Sequence, residues 1–203
     1  MEIETPRGPA RVHLDLPPAA PRVLLVLGHG AGGRVDAPDL RAVRDATLDI
    51  GAVVARVEQP YRVAGRRAPA PAAHLDEAWT AAVTFLSGDS SYADLPLAVG
   101  GRSSGARVAC RTARLLGARA VVALAFPLRP PSRPDRSREH ELRGAGVPVL
   151  VVNGEQDSFG VPEADGGVTV RTLPGETHAL SKDPAAVGET VVRWLGSQLP
   201  GDR

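Results

Sequence analysis

The sequence predicts an α/β fold in which a mostly parallel sheet is covered by helices on both faces. Three observations carry this reading. The runs RVLLVLG (22–28), AVVALAF (120–126) and VPVLVVN (147–153) are apolar almost throughout, as strands buried on both sides must be. Segments of helical period stand between such runs, and that alternation builds right-handed crossovers between parallel strands. No internal repeat and no linker-like stretch divides the chain, so its 203 residues are expected to form one domain with a core over about 10–199.

Taken in order, RVHLDL (11–16) alternates apolar and polar residues like an edge strand, and 22–28 is the first buried strand. A helix over 38–48 opens at Pro38, a favoured first helical position, and AVVARV (52–57) follows as a strand. Residues 59–71 read as a polar, proline-rich loop. Beyond it Leu75, Trp79, Ala82 and Leu86 recur at helical spacing and form one buried stripe. LPLAVG (95–100) is the next strand, and the helix after it is expected to run to about Leu116. Strand 120–126 leads into a long polar segment, 128–146, with room for a small cap and a short helix over RSREHEL. Strands 147–153 and 167–173 come last, before a helix capped by Asp183 with Pro184 at its first position. Its apolar face takes Val187, Val191, Trp194 or Leu195, and Leu199.

Composition narrows the function classes. Hydrophobic residues make up 43% of the chain but aromatics only 3%, so the core must rest on Val, Leu and Ala. The net charge is +1, Arg is interspersed with Asp and Glu, and no basic helix or stacked aromatic series appears, which argues against a nucleic-acid partner. No run approaches the roughly 18 apolar residues of a membrane span, and the opening MEIETPRGPARVHLD lacks an apolar signal core. A cytoplasmic protein with no membrane partner is therefore expected. Cys110 is the single cysteine, which excludes a disulfide scaffold.

The stretch GGRSSG (100–105) stands between a strand and a helix. A nucleophile at such a turn takes strained backbone angles, and its neighbours two residues away on each side must be small because strand and helix nearly touch. Gly101 and Gly105 meet that demand around Ser103; Ser104 is a weaker competitor because it lacks the symmetrical spacing. Serine needs a base and an orienting acid. His178, in GETHAL just after the last strand, is the candidate base, since His13, His74 and His140 hold no strand-end position. Asp157 in NGEQDSFG follows another buried strand and is the candidate acid, with Glu155 its local competitor. The first buried strand ends in GHGAGG (28–33), where Gly30 and Gly32 let the backbone curl. Ala31 can then present an N–H to a reaction centre, opposite the N–H of Ser104 at the helix N-terminus. His29 is expected to secure this loop through its ring.

Other chemistries fit less well. Gly28, Gly30 and Gly33 match the dinucleotide spacing GxGxxG, with Glu58 at the end of the next strand, but the helix starts late and the three strand-end residues are left unexplained. No HExxH occurs, Cys110 has no partner at ligand spacing, and GGRSSGA lacks a phosphate-loop lysine, so neither metal nor cofactor is expected.

The stretches LVLGHGAGG, VGGRSSGARVA, VLVVNGEQDSFG and LPGETHAL resemble the α/β-hydrolase superfamily. The likeness is to its small, lid-poor members, the dienelactone-hydrolase-like and testis-expressed-protein-like branch, and it spans about 10–199. The resemblance implies a three-layer α/β-hydrolase fold, Ser103 as nucleophile, Asp157 as acid, His178 as base, and Ala31 and Ser104 as oxyanion donors. It further implies hydrolysis of an ester or related acyl bond in a small molecule, without cofactor. Dienelactone hydrolases themselves differ in using cysteine, and some relatives in the other branch are scaffolds, so a non-catalytic interaction protein is the alternative. Arg129, closest to the strand end in the cap, is a candidate contact for an acidic substrate. The sequence leaves the oligomeric state open.

Overall fold

The computed structural model describes residues 1–198. Eight strands form one sheet in the order β1-β2-β4-β3-β5-β6-β7-β8. In chain order they are β1 (Glu2–Ile3), β2 (Ala10–Asp15), β3 (Val23–Gly28), β4 (Ala52–Glu58), β5 (Leu97–Arg102), β6 (Ala120–Leu124), β7 (Val149–Gly154) and β8 (Val168–Leu173). β1 and β2 are antiparallel at one edge, and every pairing from β4 to β8 is parallel. The continuous apolar runs have their cause here: all residues of β3 and β7 are buried, because helices cover both faces. On one face α3 (Ala72–Ser87) and α4 (Ser104–Thr112) pack through Trp79, Leu86, Ala106 and Val108. On the other, α1 (Pro38–Leu48) and α6 (Pro184–Gln198) contribute Leu40, Val43, Val187, Val191 and Leu195.

Several boundaries differ from expectation for local reasons. β5 starts at Leu97 and β7 at Val149, each just after a proline (Pro96, Pro148) that cannot donate to the ladder. β6 stops at Leu124 because Ala125 has φ 45°. Regular helix after Ser103 ends at Thr112. The turns beyond it close in a Schellman pattern, with Ala118 N–H to Ala113 O at 3.0 Å and Gly117 at φ 66°. The loop expected over 59–71 contains a short helix, α2 (Pro60–Val63), and the two-residue β1 was not anticipated. Only one short helix, α5 (Glu139–Arg143), forms in the segment 128–146. Asp183 Oδ1 does cap α6, accepting the Ala186 N–H at 3.1 Å. Leu195 is fully buried while Trp194 is only partly so, and Leu199 lies outside the described residues. Among the described residues, no helix is long and apolar enough to cross a membrane.

The topology fixes where a site can form. From β3 the chain moves to β4 on one side, and it then returns to β5 on the other. The loops leaving β3 and β5 therefore diverge and open a crevice at the carboxyl ends of these strands.

Two helical glycines test the packing. A Cβ on Gly188 of α6 would lie 2.8 Å from Ala42 O and 3.1 Å from Ala46 Cβ in α1, whereas one on Gly196 would meet nothing within 4 Å. Replacing glycine by alanine in a helix gains about 1 kcal/mol, but overpacking against backbone costs about 1–3 kcal/mol. In urea denaturation, G188A is expected to lose net stability and G196A to gain up to about 1 kcal/mol.

Candidate active site

The site is assembled from strand-end loops whose backbones are in contact. A Cβ on Gly101 or on Gly105 would lie 2.4 Å from Gly28 O, so β3, β5 and the start of α4 meet with no side chain between them. The chain reverses direction at Ser103, which has φ 52° and ψ −108°. A non-glycine residue held there costs about 1–3 kcal/mol, and surrounding bonds must hold it. Ser103 N–H donates to Leu124 O at 2.9 Å and its carbonyl accepts Arg107 N–H at 3.2 Å, joining the strained residue to both β6 and α4. Its hydroxyl is thereby turned away from both elements.

That hydroxyl meets the imidazole of His178, with Oγ and Nε2 3.0 Å apart. The other ring nitrogen, Nδ1, lies 2.9 Å from Asp157 Oδ2. Three sequence-singled residues, from loops after β5, β7 and β8, thus form one hydrogen-bonded chain. The Asp157 side chain is fully buried and surrounded by donors: Asn153 Nδ2 reaches Oδ2 at 3.2 Å and Phe159 N–H reaches Oδ1 at 2.9 Å. An all-acceptor Asp157 receives Nδ1–H, which leaves the Nε2 lone pair facing the serine hydroxyl. The Phe159 ring lies 4.3 Å from the imidazole, centroid to centroid, and covers part of it. Glu155, the competitor of Asp157, is occupied elsewhere: its Oε2 accepts the Gly175 N–H at 3.0 Å.

Two residues that the sequence reading passed over hold the loops of Asp157 and His178. Asn153, fully buried at the end of β7, also clamps Phe126 through bonds to its N–H (2.8 Å) and O (3.2 Å). Glu176, 2% exposed, accepts backbone N–H groups of Ser181, Lys182 and Asp183 at 3.1, 2.7 and 2.7 Å. Its loop lies so close to β7 that a Cβ on Gly154 would sit 2.4 Å from Glu176 O. A polar residue closing an apolar strand and a carboxylate two positions before His178 were the available signals.

The loop after β3 is oriented by His29. Gln59 N–H donates to His29 Nε2 at 3.0 Å, so Nδ1 carries the proton and donates to Gly30 O at 2.7 Å. Burial pushes this imidazole's pKa down, favouring the neutral ring that both bonds require. Gly30 O also accepts the Gly33 N–H at 3.0 Å. The Ala31 N–H, trans to that carbonyl across the same peptide, points the opposite way. Tyr61 Oη holds Ala31 O at 2.6 Å. Ser104, first residue of α4, has one of the N–H groups that a helix leaves without an internal partner. Gly30 has no left-handed φ but stands in a tight place: its Cβ would lie 3.1 Å from Arg102 Nη1 and 3.6 Å from Ser103 Cβ. Gly32 is not needed in this way: it has no left-handed φ and open space around it, so curling of the loop does not depend on it. The exposed Arg129 side chain makes no hydrogen bond or ion pair among the described residues; its backbone N–H holds Phe159 O at 2.8 Å. Cys110 is fully buried, and burial pushes its thiol pKa far up, so it packs rather than reacts.

A family model described as an alpha/beta hydrolase domain matches residues 21–179. The chain is similar in structure to an alpha-beta serine hydrolase homologue from Coxiella burnetii, with TM-score 0.78, 17% identity and 96% of each chain covered. It is also similar to a dienelactone hydrolase from Anabaena variabilis, with TM-score 0.78, 18% identity and coverage of 98% of this chain and 97% of that one. An α/β serine hydrolase without a lid from Xanthomonas campestris matches with TM-score 0.72 and 20% identity, over 100% of this chain and 95% of the other. At these identities the likeness establishes a common fold. No curated protein matches the chain in sequence.

One further side chain joins the end of β5 to the His178 loop and to α1. Arg102, beside Ser103, donates from Nη2 to His178 O at 2.9 Å and places Nε 2.9 Å from Asp39 Oδ2 in the first turn of α1. Asp39 is fully buried, and burial outweighs the Arg102 cation and the Leu40 N–H bond, pushing its pKa up to about 6. A raised carboxyl pKa adds stability that is full below the unfolded value near 3.8 and is lost as pH rises through about 6. Relative to wild type, D39N is therefore expected to gain on the order of 2–3 kcal/mol between pH 4 and pH 7. Denaturant titrations at several pH values check it; parallel pH profiles would contradict it.

Proposed function

The chain belongs to the α/β-hydrolase family, and on that premise we propose that it is a serine hydrolase cleaving an ester or related acyl bond of a small substrate. The observation that carries the proposal is the 3.0 Å contact between Ser103 Oγ and His178 Nε2, with Nδ1 already committed to Asp157 at 2.9 Å. An isolated serine hydroxyl is a weak nucleophile, and a base within hydrogen-bond reach converts it into an effective one.

In the proposed reaction Ser103 Oγ attacks the carbonyl carbon while Nε2 of His178 takes its proton. Asp157 stabilises the imidazolium through Nδ1–H and remains unprotonated. The carbonyl oxygen becomes an oxyanion, which the N–H groups of Ala31 and Ser104 are proposed to hold. Two fixed donors need no reorganisation, and each contributes about 3 kcal/mol of transition-state stabilisation. Collapse of the tetrahedral adduct breaks the bond to the leaving group, which takes the proton from Nε2–H. Water then attacks the acyl-serine, again giving its proton to His178, and the acid departs with Ser103 restored. Protein groups and water balance every step, so the proposed chemistry requires no cofactor.

Incubation with a fluorophosphonate is expected to label wild-type protein stoichiometrically and S103A not at all. For short-chain aryl esters, H178A is expected to lower kcat/KM by about 10³-fold or more. Absence of labelling in folded wild-type protein, or undiminished turnover in H178A, would overturn the proposal and leave an interaction role for the fold.

A further inference from the structure

The segment linking β6 to α5 crosses over α4 and leaves an open cleft of about 530 Å³ between them. Its walls carry Arg107 of α4, Arg133, Arg136 and Arg138 of the crossing segment, and His140 and Glu141 of α5. Glu141 is the only carboxylate among the lining residues, and it is already taken. Arg107 grips it with two bonds, at 2.6 and 2.8 Å, and Arg111 adds a third at 3.2 Å.

Arg133, Arg136 and Arg138 form no ion pair among the described residues. Arg138 Nη1 donates to Pro127 O at 3.0 Å, which satisfies a hydrogen bond without neutralising the guanidinium. Burial first, and then the nearby Arg107 and Arg111 cations, push its pKa down against the pull of Glu141. Arg133 and Arg136 are exposed, and neither forms an ion pair among the described residues. Asp135, in the same turn, pairs with neither, and Glu139 is bound to Arg143 at 2.6 Å. Arg133 and Arg136 thus line the cleft with their side-chain donors free, and Arg138 lines it with Nη1 engaged by Pro127 O, a set suited to forked binding of a carboxylate or phosphate.

One wall of the cleft belongs to the helix that starts at the proposed reaction centre. Arg107 stands one helical turn beyond Ser103, about 6 Å along the axis, and its N–H bonds the Ser103 carbonyl. At its other end the crossing segment is tied to the His178 side of the site. Arg129 N–H bonds Phe159 O, and the Phe159 ring packs on the imidazole. The cleft wall at Arg107 thus stands one helical turn from the proposed nucleophile.

We infer that the cleft binds an anionic group of the substrate, so that the Ser103 site acts on acidic acyl compounds carrying a carboxylate or phosphate. The inference rests on the hydrolytic reading for the identity of the ligand as substrate, but not for the binding itself. The arginine singled out from sequence, Arg129, is not part of it; the cations four, seven and nine residues further on are.

Matched aryl esters provide the test: a neutral butyrate and an anionic hemisuccinate, compared in wild type, in the double variant R133Q/R136Q and in R138Q. The wild-type kcat/KM ratio, anionic over neutral, is expected to be about tenfold or more at low salt and to fall toward one in the variants and at high salt. A wild-type ratio near one, or a ratio unmoved by the variants, overturns the inference. Calorimetry on S103A with succinate and with pyrophosphate tests the cleft independently of turnover and distinguishes carboxylate from phosphate as the better ligand. Binding that disappears in S103A/R133Q/R136Q supports the cleft even if wild type hydrolyses neither ester, an outcome that would sink only the hydrolytic reading. Folded protein that binds neither probe overturns the inference.

Discussion

The arrangement depends first on a backbone contact. The last peptide of β3 approaches the starts of two other elements so closely that neither Gly101 nor Gly105 has room for a Cβ. Separating these segments by the width of one methyl group would move α4 away from the end of β3. Ser103 would then lose the geometry that turns its hydroxyl outward, and the loop carrying Ala31 would no longer lie beside it. Sheet topology supplies the crevice, and glycine allows its two walls to come close together. Parallel strands buried on both faces make that contact stiff, because close-packed cores yield little to local strain.

Around this contact the polar groups take on distinct tasks. Asp157 and His178 belong to the proposed chemistry, whereas Asn153 and Glu176 act on backbone. Asn153 joins the loop after β6 to the loop after β7, and Glu176 folds the chain beyond His178 by collecting three amides. The Glu176 carboxylate is itself buried, and leaving a buried acceptor without its partners costs about 1–3 kcal/mol or more, so the loop's shape is specified rather than one of many. Arg102 adds a link that none of the others makes, from the base loop to the first turn of α1.

The parts legible in the sequence were those with a local signature. Strand runs, the cap and proline opening α6, and the glycine spacing around Ser103 are readable because adjacent residues create the effect. His178 and Asp157 were readable from their position just beyond apolar strands, where parallel sheets gather functional loops. Arg102 was not, because its bonds reach residues 63 and 76 positions away and no local pattern marks them. The same reason hides the crowding at Gly154, which exists only once the His178 loop is folded over β7. Nearness to the strand end made Arg129 a candidate substrate contact; its side chain is exposed and its backbone is tied to the Phe159 loop, while Arg133, Arg136 and Arg138 line the cleft beside α4.

Strain and buried charge collect at one place in this molecule. Ser103 sits in disfavoured backbone angles, and the adjacent Arg102 is paired with a carboxyl whose burial outweighs its stabilising partners. Both features oppose folding, by roughly 1–3 kcal/mol each on general grounds. The sheet and its two apolar layers can sustain such a cost, and nothing about the sheet requires it. What the unfavourable arrangement secures is a hydroxyl, an imidazole and a nearby peptide N–H held in fixed relation before any ligand arrives. Preorganisation of that kind has value in a transition state and none in a passive interface. The location of the strain therefore favours chemistry over a purely structural role for this crevice.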